Sequence, residues 1–287
     1  MAEVAIPDMG MGARITVLAD GNAGSLWFGE VGFSAHVQVE GKSFLYDTGL
    51  TGLCATANAS ALKIDLRELD GIVLSHGHDD HTAGLYAILT ASGPKPVHAH
   101  PDALGLKYAI EKDGSAAYAG IPYVKEYVQD SLGGRFSLDP SFRSLCPNLW
   151  MTGEVPRTND FERIPDRMRV RLPDGSLGPD PLADDNSLIL DTPKGLVFLF
   201  GCAHRGIVNI MEYGSARLGK GILGFIGGTH LIEASDEQFD RTVKYLRSKG
   251  LGFIAPTHCT GADKAFELRK LFPESFVPVH CGKAFAF

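Results

Sequence analysis

Long apolar runs, basic clusters and paired cysteines are all missing from this chain of 287 residues. No apolar stretch approaches the roughly 20 residues that a bilayer-crossing helix needs, so no membrane span is expected. The start, Met1 to Ile6, lacks a positive segment followed by an apolar one, so no secretory signal is expected either. The net charge is −7, with no run of Lys or Arg. That argues against a nucleic-acid surface, but leaves room for a small phosphorylated ligand met by one or two arginines. The five cysteines (Cys54, Cys146, Cys202, Cys259, Cys281) are odd in number and widely spread. They read as free thiols in a reducing cytoplasm rather than as a disulfide framework. The expected partner is a small anionic substrate, with no nucleic acid and no membrane; a homo-oligomer stays open.

What is present is ordinary for a globular chain: 44% hydrophobic and 21% charged residues, enough for a sizeable core. The 34 glycines and 16 prolines suit many short strands and loops around a site. The expectation is one α/β domain spanning 1–287, with an irregular insertion at about 125–185, where Gly133-Gly134, Asp139-Pro140 and Pro179-Asp180-Pro181 mark loops.

The densest chemistry lies in Ser75-His76-Gly77-His78-Asp79-Asp80-His81-Thr82. An apolar run, Gly71 to Leu74, precedes it and reads as a buried strand, and Thr82 to Thr90 has helical spacing. His76 and His78 sit two apart, so in an extended segment both imidazoles leave on one side and can grip one metal ion. Asp80 and His81 follow as the chain turns, and can face a second ion. Imidazole and carboxylate suit zinc, manganese or iron. A solvated polar turn with Asp80 capping the helix is the bland alternative, and this spacing disfavours it.

Downstream, apolar strands repeatedly end in a histidine: Leu196–Phe200 before His204, Gly221–Gly228 before His230, and Gly252–Pro256 before His258. Upstream, Arg14–Ala19 reads as a strand, Phe33–Glu40 with Lys42–Tyr46 as a hairpin, and Thr51–Leu62 as a helix. Trp27 and Phe28 either line a substrate pocket or pin a loop. His36, His98 and His100 read as packed histidines rather than ligands. Asp102 to Gly120, rich in alanine, reads as helical. Arg157 is either a substrate clamp or a surface ion pair, while Arg163, Arg167, Arg169 and Arg171 read as decorating a solvated loop.

The His76-Gly77-His78-Asp79-Asp80-His81 segment resembles the signature of the metallo-β-lactamase superfamily. Tyr46-Asp47-Thr48-Gly49, Phe200-Gly201-Cys202 and Pro256-Thr257-His258 follow the family's order. The wording of Gly153 to Thr158, Gly201 to Asn209, Gly227 to Leu231 and His258 to Gly261 is similar to a subgroup labelled dihydropteroate-synthase-like, or dihydropterin–ribofuranosyl-aminobenzene-phosphate synthase. The resemblance implies an αββα four-layer sandwich with one or two divalent metal ions, zinc first, at the sheet edge. It implies His76, His78, Asp80, His81 and His258 as ligands, and Asp47 as a brace of the metal loop through hydrogen bonds.

Two positions depart from that pattern. Where the family carries a histidine before the strand near 186, this chain has Ala183-Asp184-Asp185-Asn186; where it carries a bridging aspartate, this chain has Cys202. Asp184 or Asp185 can replace the imidazole, or His204 can supply it from the next loop. Cys202 can ligate as thiolate or be a small buried residue. The expected function is metal-dependent hydrolysis of an anionic small molecule, with a metal-activated water and Asp80 orienting it or taking its proton. Arg157 and Arg205 would hold the anion, and the second metal or His230 would stabilise charge on the leaving oxygen. A phosphoester, pterin-related if the subgroup's label applies, is the leading substrate. The alternatives are a lactonase or other ester hydrolase, a di-iron-type oxidoreductase, and a non-catalytic metal-binding or sensing module.

Overall fold

Leu196 to Phe200 is apolar at every position, and the computed structural model, which describes residues 10–287, shows why. Successive side chains of a strand point to opposite faces. Val197 and Leu199 pack between two sheets, whereas Leu196, Phe198 and Phe200 pack outward under helices. A strand covered on both faces needs no polar side.

The strands in chain order are β1 (Arg14–Ala19), β2 (Ser34–Val39), β3 (Lys42–Tyr46), β4 (Gly71–Val73), β5 (Pro96–Ala99), β6 (Lys107–Ile110), β7 (Ala116–Tyr118), β8 (Arg135–Leu138) and β9 (Arg143–Cys146). They continue with β10 (Leu149–Met151), β11 (Met168–Arg171), β12 (Leu177–Pro179), β13 (Leu188–Thr192), β14 (Gly195–Phe200), β15 (Ile222–Gly228), β16 (Phe253–Thr257) and β17 (Ala284–Ala286). The helices are α1 (Leu53–Ala61), α2 (Asp79–Thr82), α3 (Leu85–Ser92), α4 (Ile207–Leu218), α5 (Asp236–Lys249) and α6 (Ala262–Leu271). One sheet runs β17-β1-β2-β3-β4-β5-β8, a second β16-β15-β14-β13-β10-β9, and a small third β12-β11-β6-β7.

Three apolar clusters define the layers. Ile15, Val37 and Tyr46 of the first sheet meet Leu188, Leu199 and Ala255 of the second. On the outer face of the first sheet, Leu45 and Ile72 pack on Ala55, Ala59, Leu85 and Ile88 from α1 and α3. On the outer face of the second, Phe198 and Ile254 pack on Ile210, Phe239 and Leu268 from α4, α5 and α6. The result is helix–sheet–sheet–helix, the expected four-layer sandwich. Within it β3, β4, β5 and β8 are parallel, as are β14, β15 and β16. The carboxyl ends of parallel strands are where such folds hold ligands.

Three local readings change. The helix expected over Thr82–Thr90 is broken into α2 and α3. A Cβ on Gly84 would lie 2.2 Å from the Thr48 carbonyl oxygen, so only glycine lets the two segments approach. The helix expected over Asp102–Gly120 is instead a 3₁₀ turn followed by the β6–β7 hairpin. Asp113-Gly114, with Gly114 at φ +84°, turns the chain, and Tyr108 packs edge-on against Tyr118 at 5.4 Å. The turn signal and the cross-strand pair outweigh alanine's helix propensity. The stretch at about 125–185 carries β8 to β12, distributed over all three sheets. Of the loop aromatics, Trp27 packs against the first outer core, while Phe28 is 67% exposed. The Met1–Ile6 reading lies outside the described residues. Among the described residues, no helix is long and apolar enough to cross a membrane.

Candidate metal centre

Each parallel strand delivers a short turn to the same edge. β4 ends into Ser75 and His76, β14 into Gly201 and Cys202, β15 into Thr229 and His230, and β16 into His258. His258 and His230 adopt φ of +51° and +49°, a left-handed conformation that is uncommon outside glycine and concentrates at functional sites.

Asp47, wholly buried at the end of β3, braces the first turn. One oxygen accepts Ser75 N–H at 2.7 Å; the other meets Ser75 Oγ and His81 Nδ1, each at 2.7 Å. Fixing Nδ1 leaves His81 Nε2 facing Asp80 Oδ1 at 3.5 Å and Cys202 Sγ at 3.2 Å. His258 Nε2 approaches the same two partners, Asp80 Oδ2 at 3.5 Å and Cys202 Sγ at 3.3 Å. On the other side, His76 Nε2 lies 2.9 Å from His78 Nδ1. The His204 ring stands 4.9 Å from each of those rings.

Two donor groups result, with ligand atoms within 4.8 Å of one another: His76, His78 and His204, and Asp80, His81 and His258. Cys202 forms further groups with His76 and His81, and with His230 and Cys259. Burial, reinforced by neighbouring imidazoles, holds His76 and His204 far below the ordinary histidine pKa, and burial with Lys107 holds His78 at about 3. These rings are therefore neutral, the form that binds metal. Burial opposes protonation of His81 too, but Asp80 and Asp47 outweigh it and lift its pKa to about 9. Burial also raises Asp80, yet His81, His258 and His78 pull its pKa below the usual value.

The donor set fits a divalent transition metal. Both ring nitrogens of buried His204 lack a hydrogen-bond partner, a costly arrangement unless something else is bound there. Imidazole, carboxylate and thiolate together select zinc or iron rather than magnesium or calcium.

Neither aspartate of the departing slot joins these groups. Asp184 accepts Gly77 N–H at 2.7 Å and Lys107 Nζ at 2.9 Å. Asp185 accepts Arg205 N–H at 2.8 Å, and burial pushes its pKa up to about 7. His98, His100 and His36 also stand outside them; His36 is buried and pairs with Ser43 Oγ at 2.8 Å.

A cavity of about 320 Å³ opens onto the centre, lined by His78, Asp80, Arg167, His230, Glu233 and His258 among others. The two arginines expected there do not line it. The Arg205 guanidinium is buried, donating to the carbonyls of Val155 at 2.7 Å and Pro181 at 2.9 Å, which ties loops together. Arg157 donates to the Glu162 carbonyl and lines a separate cavity. Arg167, read from sequence as loop decoration, lines the cavity instead and pairs with Glu233 at 2.7 Å. Only the pairing of β11 with β6 brings it there, which no local signal reveals. Cys259 was likewise not singled out as a site residue, yet it lines the same wall.

Residues 29–218 match the model of the metallo-beta-lactamase superfamily. The chain belongs to that superfamily. A protein of Methanocaldococcus jannaschii named 7,8-dihydropterin-6-methyl-4-(beta-D-ribofuranosyl)-aminobenzene-5'-phosphate synthase is 32% identical over 284 residues, covering 96% of each chain. An uncharacterized protein of the same organism is 34% identical over 271 residues, covering 94% of this chain and 98% of its own. Among solved structures, Tm1679, described as a metal-dependent hydrolase of the beta-lactamase superfamily, superposes with a TM-score of 0.82 at 29% identity. That match covers 96% of this chain and 99% of the other. A diphosphatase from the PhnP family, at 14% identity and a TM-score of 0.52, shares the fold. Membership in the metallo-beta-lactamase superfamily implies divalent metal ions, in keeping with the clustered donors.

Proposed function

We propose that this protein is a metal-dependent hydrolase of a phosphate-bearing small molecule. His76, His78 and His204 would hold one divalent ion, and Asp80, His81 and His258 a second, with Cys202 between them. Zinc is the metal that the mixed imidazole, carboxylate and thiolate set favours. Such an ion lowers the pKa of water from about 15.7 to about 7. The observation that carries the reading is the opening of both donor groups onto one cavity with a guanidinium, Arg167, at its wall.

Asp80 stays anionic at neutral pH and is still partly accessible, so it can orient a water molecule and accept its proton. Arg167 suits a phosphate oxygen through charge-assisted hydrogen bonds. Burial works against protonation of His230, but Cys259 and Glu233 hold its pKa up to about 9, so it can donate to a leaving oxygen at neutral pH. The name of the methanogen relative joins a dihydropterin to a 5'-phosphate, which supports a pterin-related phosphate ester. Free thiols at five positions support a reducing, cytoplasmic setting.

The test is phosphate release from a panel of phosphomonoesters and phosphodiesters by zinc-loaded protein, with His78→Ala as control. Release lost in the variant is expected. Lactone hydrolysis without phosphate release would overturn the substrate class, and an iron-dependent redox activity would overturn hydrolysis.

A further inference from the structure

A second cavity, of about 610 Å³, lies apart from the one facing the clustered donors. It lies on the other side of a shared wall: His258 and Cys259 line both spaces. Val31, Ala265, Phe276 and Pro278 give it apolar sides. One ionisable carboxylate is set into that lining, Asp20, 2% exposed at the end of β1. Asp20 Oδ1 accepts Asn22 N–H at 2.8 Å, and Oδ2 accepts Thr257 Oγ1 at 2.7 Å. The backbone N–H of His258 also bears on this carboxylate, so of its four acceptor directions one stays for a ligand. An apolar slot with a buried polar acceptor is the usual form of a small-molecule site, and its volume falls in the usual range of about 300–1,000 Å³.

We propose that this cavity binds the ring end of the substrate: a planar, bicyclic heteroaromatic group whose amino N–H donates to Asp20. The apolar walls take the ring faces, and the hydrogen bond to the carboxylate, charge-assisted when Asp20 is ionised, gives orientation. The His258–Cys259 turn then separates ring from phosphate, so one extended molecule occupies both cavities across it. The left-handed backbone at His258 forms this partition. The inference rests on the phosphoester reading only for the position of the anionic end.

Fluorescence titration with 2-amino-4-oxopteridine as probe tests the site without turnover. Its 2,4-dioxo analogue, lacking the amino donor, is the comparison. Saturable binding of the amino compound is expected, weakened at least tenfold by Asp20→Asn, with a much smaller change for the dioxo compound. Ala265→Trp, which fills the cavity from a half-buried helical position, should abolish binding of both. Absence of saturable binding to the folded wild type, or binding unchanged in both variants, overturns the proposal. Should Asp20→Asn fail to fold, Ala265→Trp decides alone. Probe binding without phosphate release from any ester would retain this site and reject hydrolysis; phosphate release without probe binding would do the reverse.

Discussion

Asp184 holds the backbone N–H of Gly77 at 2.7 Å with one oxygen and the ammonium of Lys107 at 2.9 Å with the other. One of the two aspartates in the stretch that departs from the family pattern thus clamps the metal loop from behind. Lys107 also meets Asp180 at 2.8 Å, and all three side chains are almost fully buried. Burial alone would raise the Asp184 pKa, and Lys107 instead holds it below the usual carboxylate value.

Lys107→Met should therefore cost about 3–5 kcal/mol, because two buried carboxylates lose their counter-charge. Urea denaturation at pH 7 measures it. The Lys107→Met/Asp184→Asn pair should lose less than the sum of the singles, since the uncompensated charge is partly removed.

Asp47→Asn keeps the shape but weakens the acceptor that fixes Ser75 and His81. Metal affinity should fall by about 10–100-fold, the usual cost of losing a group that orients a ligand. Competition with a chromophoric chelator reads it, and unchanged affinity would contradict the bracing role.

His204→Ala should lower bound zinc by one equivalent in elemental analysis of purified protein, while His98→Ala should leave it unchanged. Equal metal content in the two variants would remove His204 from the centre.

His36 supplies a pH dependence away from the site. Burial, with help from Arg14, lowers its pKa from 6.5 to about 4. In that window the unfolded chain binds a proton that the native chain refuses, so stability falls as pH drops below 6.5. Between pH 7 and pH 5 the wild type should lose about 2 kcal/mol more than His36→Gln, by the linkage relation. Parallel pH profiles for the two proteins would refute this.

Arg167→Ala should raise KM for a phosphate ester about tenfold with a smaller change in kcat, as expected for loss of one charge-assisted contact of about 1.5 kcal/mol. Steady-state kinetics on the best ester of the panel measures this.

The sequence alone determined the buried strands and the metal loop, because both are written locally, while the four layers followed from the family resemblance. Alternation and continuous apolar runs fix which strands are buried, and His76 to His81 places four donors within six positions. The apolar run Leu196–Phe200 was likewise enough to set β14. Tertiary structure decided what depends on partners far apart in the chain. It alone turned Asp184 towards Lys107, put His204 beside His76 and His78, and gave Arg167 rather than Arg157 or Arg205 to the cavity. At Lys107–Tyr118 the local turn at Asp113-Gly114 already favours a hairpin over alanine's helix propensity, and the pairing of β6 with β11, some sixty residues later, places that hairpin in the small sheet. Periodicity records which face of an element is buried; the group a buried charge will meet is set by packing between elements, and no local pattern carries that.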